Sequence, residues 1–69
     1  MSDAETRSRD ARLWARNAVA ELATAINEAS QVLVTADDRV ALGYVGNVRA
    51  SMSKASEHLM RSKILLEGE

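Results

Sequence analysis

Histidine occurs once in the chain, at His58, with Lys54 four residues before it and Arg61 three after it. A general base needs a carboxylate or carbonyl to orient it, and no acid stands at the helical spacings that would bring one alongside. Glu21 and Glu28 lie one heptad apart, yet no Glu-x-x-His pair accompanies them to make a di-metal bundle site. Cysteine is absent, which removes thiolate metal sites, disulfides and thiol nucleophiles. The serines and threonines lack both a histidine partner and a glycine elbow, so they read as surface and cap residues. The residue types thus predict no catalytic centre, no metal and no cofactor.

Cations form the other chemical grouping. Arg9, Arg12 and Arg16 share one side of the chain's first third, and a fold that doubles back would bring Arg61 and Lys63 to the same end. Phosphate contact is the chemistry such a group would offer. Asp3, Glu5, Asp10, Glu57, Glu67 and Glu69 share that end, however, and segments 1–16 and 54–69 together sum to only +1. A small nucleic-acid-associated regulator using this end is therefore the alternative reading.

Two apolar ladders must position all of these groups. Ala11, Ala15, Ala18, Leu22, Ala25, Ala29, Val32 and Ala36 step by four and three. The same steps recur from Ala41 through Val45, Val48, Met52, Ala55, Leu59 and Ser62 to Leu66. This is the spacing of an amphipathic helix. The five-residue step from Ala36 to Ala41 would rotate the stripe of a continuous helix, so a turn is expected between the halves. The chain has twelve alanines and no proline, which favours helix by propensity.

Ser2 to Glu5 offers a capping box for the first helix. Thr35 offers an N-cap for the second, with Asp37 and Asp38 in its first turn. The boundaries expected are helix 1 over about 4–34, a turn at about 35–37 and helix 2 over about 36–67. Gly43 and Gly46 are the local conflict, each costing about 1 kcal/mol relative to alanine in a helix; a turn extending from Thr35 to Gly46 is the competing arrangement. If helical, both glycines fall opposite the main seam of helix 2 and leave a smooth strip for a partner's backbone.

The predicted fold is all-α: an antiparallel two-helix hairpin, coiled-coil-like, that dimerises into a four-helix bundle. A chain of 69 residues buries only roughly 60% of its unfolded surface, so association or very regular packing must supplement its core. The apolar arc of helix 1 spans about 140°, wider than one neighbouring helix covers. The excess marks Val19, Ile26 and Leu33, with Met60 and Ile64 off the seam of helix 2, as the self-association surface. A homodimer follows, with its hairpins parallel or antiparallel. Trp14, at the edge of the helix 1 stripe beside Arg7 and Arg16, and the Gly43/Gly46 strip are the candidate sites for an unknown protein partner.

The net charge of −1 favours neither nucleic acid nor a basic partner. No N-terminal succession resembles a signal peptide, and no apolar run approaches the ~20 residues of a membrane span. These patterns lead to the expectation of a cytoplasmic protein without membrane contact. The function expected is a non-catalytic interaction or assembly module that self-associates and binds a partner protein through an outer helix face.

Overall fold

The computed structural model describes residues 3–68 as two long α-helices folded against each other. Helix α1 runs Asp3–Val34 and helix α2 runs Asp38–Glu67, 32 and 30 residues long. They lie antiparallel in a rod whose backbone measures 54 × 15 × 10 Å.

Helix α1 carries Asp3 and Glu5 in its first turn, where negative charge complements the helix dipole. The expected capping box falls partly on Ser2, outside the described residues. At the other end the Thr35 hydroxyl donates to the Gln31 carbonyl at 2.5 Å, a side-chain bond back onto the last turn of α1. That bond corrects the expectation of Thr35 as the N-cap of the second helix. Asp37 takes that role: its φ/ψ is extended, and Oδ1 accepts from the Arg39 and Val40 backbone N–H groups at 2.8 and 3.4 Å. Consequently α2 starts at Asp38, two residues later than expected. Both residues have cap chemistry, and Asp37 prevails because only it sits where the free N–H groups of α2 converge.

Gly43 and Gly46 lie inside α2 with negative φ, so the extended-turn alternative is not adopted. Around them Ala41, Tyr44 and Val48 are partly buried against α1, and this packing outweighs the glycines' poor propensity. Helix α2 ends at Gly68, whose φ of 76° is left-handed and whose N–H reaches the Leu65 carbonyl at 3.3 Å, the usual glycine C-cap.

The seam between the helices consists of small residues one heptad apart. Ala11, Ala18 and Ala55 are at most 2% exposed, and Ala25 and Ser62 are also buried. The buried Ser62 hydroxyl donates to the Ala11 carbonyl at 2.8 Å, which fixes the register. Heptad steps from that bond bring Ala18 level with Ala55, Ala25 with Val48 and Val32 with Ala41. Small side chains at each level let the two backbones approach closely. No large side chain is fully buried among the described residues.

The buried seam is narrower than the ladders that predicted it. Of the first ladder, only its heptad-spaced rungs at Ala11, Ala18 and Ala25 are buried; Leu22 and Ala29 remain open to solvent. One helix laid against another covers about 100° of its surface, and the alternate rungs fall outside that arc.

Candidate functional site

The seam divides the rod into two flanks of different chemistry. Along one, α1 presents Leu22, Ile26 and Ala29 to Val48 and Met52 of α2, with Ala25 at the floor; together they outline a shallow apolar groove of about 360 Å³. Heptad repetition extends the flank in both directions. Val19, Ile26 and Leu33 form its outer row on α1, 65, 70 and 87% exposed. Val45, Met52, Leu59 and Leu66 form the α2 row, 39 to 60% exposed. This is a continuous strip of aliphatic side chains in water.

The other flank is mixed. Trp14 stacks on the His58 ring with centroids 5.4 Å apart and planes at 29°, and the Arg61 guanidinium lies 4.7 Å from the Trp14 ring centroid. Arg61 also pairs with Glu57 at 3.3 Å. A cation over an indole face is attracted by the ring quadrupole, by about 0.5–1 kcal/mol where water reaches it. His58 Nδ1 is shielded from solvent and has no hydrogen-bond partner among the described residues. Further along, Asn47 Nδ2 donates to Glu28 Oε2 at 3.3 Å, bridging the helices on the polar side of the seam.

The predicted site residues therefore distribute as follows. Val19, Ile26 and Leu33 fall together on the apolar flank. Ile64 lies instead in a small cleft with Trp14, Arg61 and Leu65 on the other side, and Met60, one turn earlier, is exposed. The structure does not bring these two to the Ile26 row. Gly43 and Gly46 are exposed, and a methyl group at either would meet nothing within 4 Å. Trp14 faces His58 and Arg61 across the seam.

Of the five cations expected to contact phosphate, Arg9, Arg12, Arg61 and Lys63 are engaged within the chain. Arg12 donates to the Ser8 hydroxyl at 2.8 Å and to its carbonyl at 3.2 Å. Lys63 pairs with Glu67 at 3.7 Å, and Arg61 is held between Trp14 and Glu57. Arg16 is exposed on α1, and Arg9 makes contacts of its own. Among the described residues no group of His, Cys, Asp and Glu gathers to hold a metal, and no helix is long and apolar enough to cross a membrane.

The Trp14–His58–Arg61 cluster is the arrangement that residue-by-residue reading missed, since His58 reads as a solvated rim residue when its own helix is considered alone. A signal for it exists. With the turn centred on Ala36, antiparallel helices place residue 14 opposite residue 58. No protein-family model, no curated protein and no solved structure matches this chain.

Proposed function

We propose that this protein is a non-catalytic helical interaction module that self-associates through its apolar flank and leaves other helix faces free for a partner protein. The observation that carries this reading is the uncovered aliphatic strip beside a seam made of alanine. The chain exposes 5265 Å², whereas a compact monomer of 7.5 kDa exposes roughly 4,250 Å². The excess of about 1,000 Å² over the compact expectation reflects a thin rod with little interior, in which the aliphatic strip has no covering element of its own chain.

The surface proposed is Val19, Leu22, Ile26 and Leu33 of α1 with Met52 and Leu59 of α2. It retains three of the five residues expected from sequence and omits Met60 and Ile64, which lie elsewhere. The Trp14 edge and the Gly43/Gly46 strip remain the sites proposed for a different protein. A phosphate-binding role has less support, because Arg12, Arg61 and Lys63 already have partners within the chain.

Light scattering across a concentration series tests the proposal. The parent should weigh twice the chain mass, and Ile26→Glu, which puts a charge in the middle of the strip, should weigh one chain mass while keeping its helicity by circular dichroism. A parent that stays monomeric throughout, or an Ile26→Glu variant that stays dimeric, overturns it.

A further inference from the structure

Charge is segregated around this rod, which the net charge of −1 conceals. A residue directly after a seam position is turned about 100° from the seam and so faces outward on the apolar flank. On α1 these residues are Arg12, Val19, Ile26 and Leu33; on α2 they are Leu42, Arg49, Ser56 and Lys63. Two residues before the seam positions Ala11, Ala18 and Ala41 stand Arg9, Arg16 and Arg39, at the outer edges of the same face. Six of the nine cations thus share the half of the rod that carries the aliphatic strip. The carboxylates do the reverse. Asp3, Asp10, Glu21, Glu28 and Glu57 lie on the other half, and only Glu5, Asp38 and Glu67, all in terminal turns of the helices, share this one.

Most of these cations keep their charge uncompensated. Arg16, Arg39 and Arg49 are exposed, and their side chains take part in no ion pair among the described residues. Arg12 donates to Ser8, which carries no charge. Lys63 is paired with Glu67 across 3.7 Å, with both side chains more than half exposed, and Arg9 has contacts within the chain.

A face that is aliphatic along its middle and cationic along its edges matches a surface that is apolar inside and anionic at its boundary. A bilayer containing acidic lipids is such a surface. Being planar, it meets the outward rows of both helices at once when the 54 Å rod lies flat, and it brings headgroups level with Arg16 and Arg39 at the outer edges. A third helix seated between α1 and α2 would meet Leu22, Ile26 and Met52 but would leave the edge cations on the far sides of helices about 10 Å wide. A second copy, which the self-association reading places on the same strip, covers the aliphatic rows but offers these cations no opposite charge.

We infer that the apolar flank docks on the surface of a bilayer containing anionic lipids. The rod lies in the interfacial plane with Val19, Ile26, Leu33 and Met52 toward the acyl chains and Arg12, Arg16, Arg39 and Arg49 at the phosphates. No segment crosses the membrane in this arrangement. Such docking goes beyond self-association and does not depend on it, since bilayer and second copy compete for one strip. It replaces the expectation of no membrane contact, which rested on net charge and on the lack of a long apolar run; neither reports how charge and apolar surface are distributed around a helix.

Sedimentation with vesicles of phosphatidylcholine and phosphatidylserine in about a 2:1 ratio tests the docking, with pure phosphatidylcholine vesicles for comparison. The parent should sediment with the acidic vesicles and not with the neutral ones, and added salt should release it. Each cation near an anionic surface contributes about fivefold, so Arg16→Gln combined with Arg49→Gln should weaken binding about 25-fold. Lys54→Gln, the same chemical change on the opposite half, should stay within about twofold. Trp14 is the only tryptophan and lies on the other flank with Arg61 and Ile64, so brominated acyl chains should leave its fluorescence unquenched. Equal binding to both vesicle types, unchanged binding of the double variant, or quenching of Trp14 overturns the inference. A parent that fails to sediment with the acidic vesicles overturns it too, and returns the strip to a protein occupant. Light scattering without vesicles keeps the two readings apart: a dimer that ignores the acidic vesicles overturns the docking and leaves self-association intact, while a monomer that sediments with them does the opposite.

Discussion

Ala18→Leu is the substitution that tests the alanine seam most directly. Ala18 is 1% exposed and lies level with Ala55, itself 2% exposed, so a larger side chain there must displace its neighbours or push the helices apart. Leucine adds about three methylene equivalents, and forcing such volume into a packed interface costs about 1–3 kcal/mol. Leucine and alanine are both good helix formers, so the loss would come from the seam and not from the helix. A domain of this length is stable by roughly 3–10 kcal/mol, which makes the change a large fraction of the whole. At about 4–8 °C per kcal/mol for a chain of this size, the melting temperature should fall by about 5–20 °C, followed by circular dichroism at one fixed protein concentration because the proposed association would also contribute to stability. Ala23→Leu makes the same chemical change at an exposed position of the same helix and should stay within about 0.5 kcal/mol of the parent. If Ala18→Leu melts with the parent and with Ala23→Leu, the heptad of small residues is not the contact between the helices and the register deduced from Ser62 is wrong.

Two further outcomes follow from the helix ends and the glycines. Asp37→Ala should cost about 1 kcal/mol by removing the acceptor for two backbone N–H groups, while Thr35→Ala, which loses one bond to a carbonyl in the last turn of α1, should cost less; denaturant midpoints rank the pair, and the reverse order would restore Thr35 as the cap. Gly43→Ala and Gly46→Ala should each raise stability by about 0.5–1 kcal/mol, since both are helical and a methyl group meets nothing within 4 Å. A loss in either case would place a close neighbour over that strip.

Much of the architecture was legible in the 4-3 ladders, because a long amphipathic repeat without proline has only one regular structure available. The break in phase between Ala36 and Ala41 located the turn for the same reason. Which residue caps α2 was not legible, since Thr35 and Asp37 have equivalent cap chemistry and the choice depends on where the chain emerges from α1. The openness of Leu22 and Met52 was also hidden: a periodic ladder shows which residues share a face but not how much of that face one neighbour covers. The meeting of Trp14 with His58 and Arg61 required the register, a property of the pair of helices and of neither one alone. The apolar flank is partly visible in the sequence through Val19, Ile26 and Leu33, whereas Met60 and Ile64 share with them only a position off the seam of their own helix, which does not say which flank they face.

The alanine seam also governs where the thermodynamic signature of this protein resides. Average domains gain about 12–15 cal/mol/K per residue in heat capacity on unfolding, chiefly from newly wetted apolar surface. A hairpin whose fully buried side chains, among the described residues, are four alanines and a serine wets less such surface than an average domain when its helices part, so the lone chain should unfold with a smaller heat-capacity change and a broader transition. Under the proposed self-association, covering the aliphatic strip would carry the larger share. Calorimetry would then register the sharpest heat-capacity change on that proposed association, and protein concentration would control the cooperativity of unfolding.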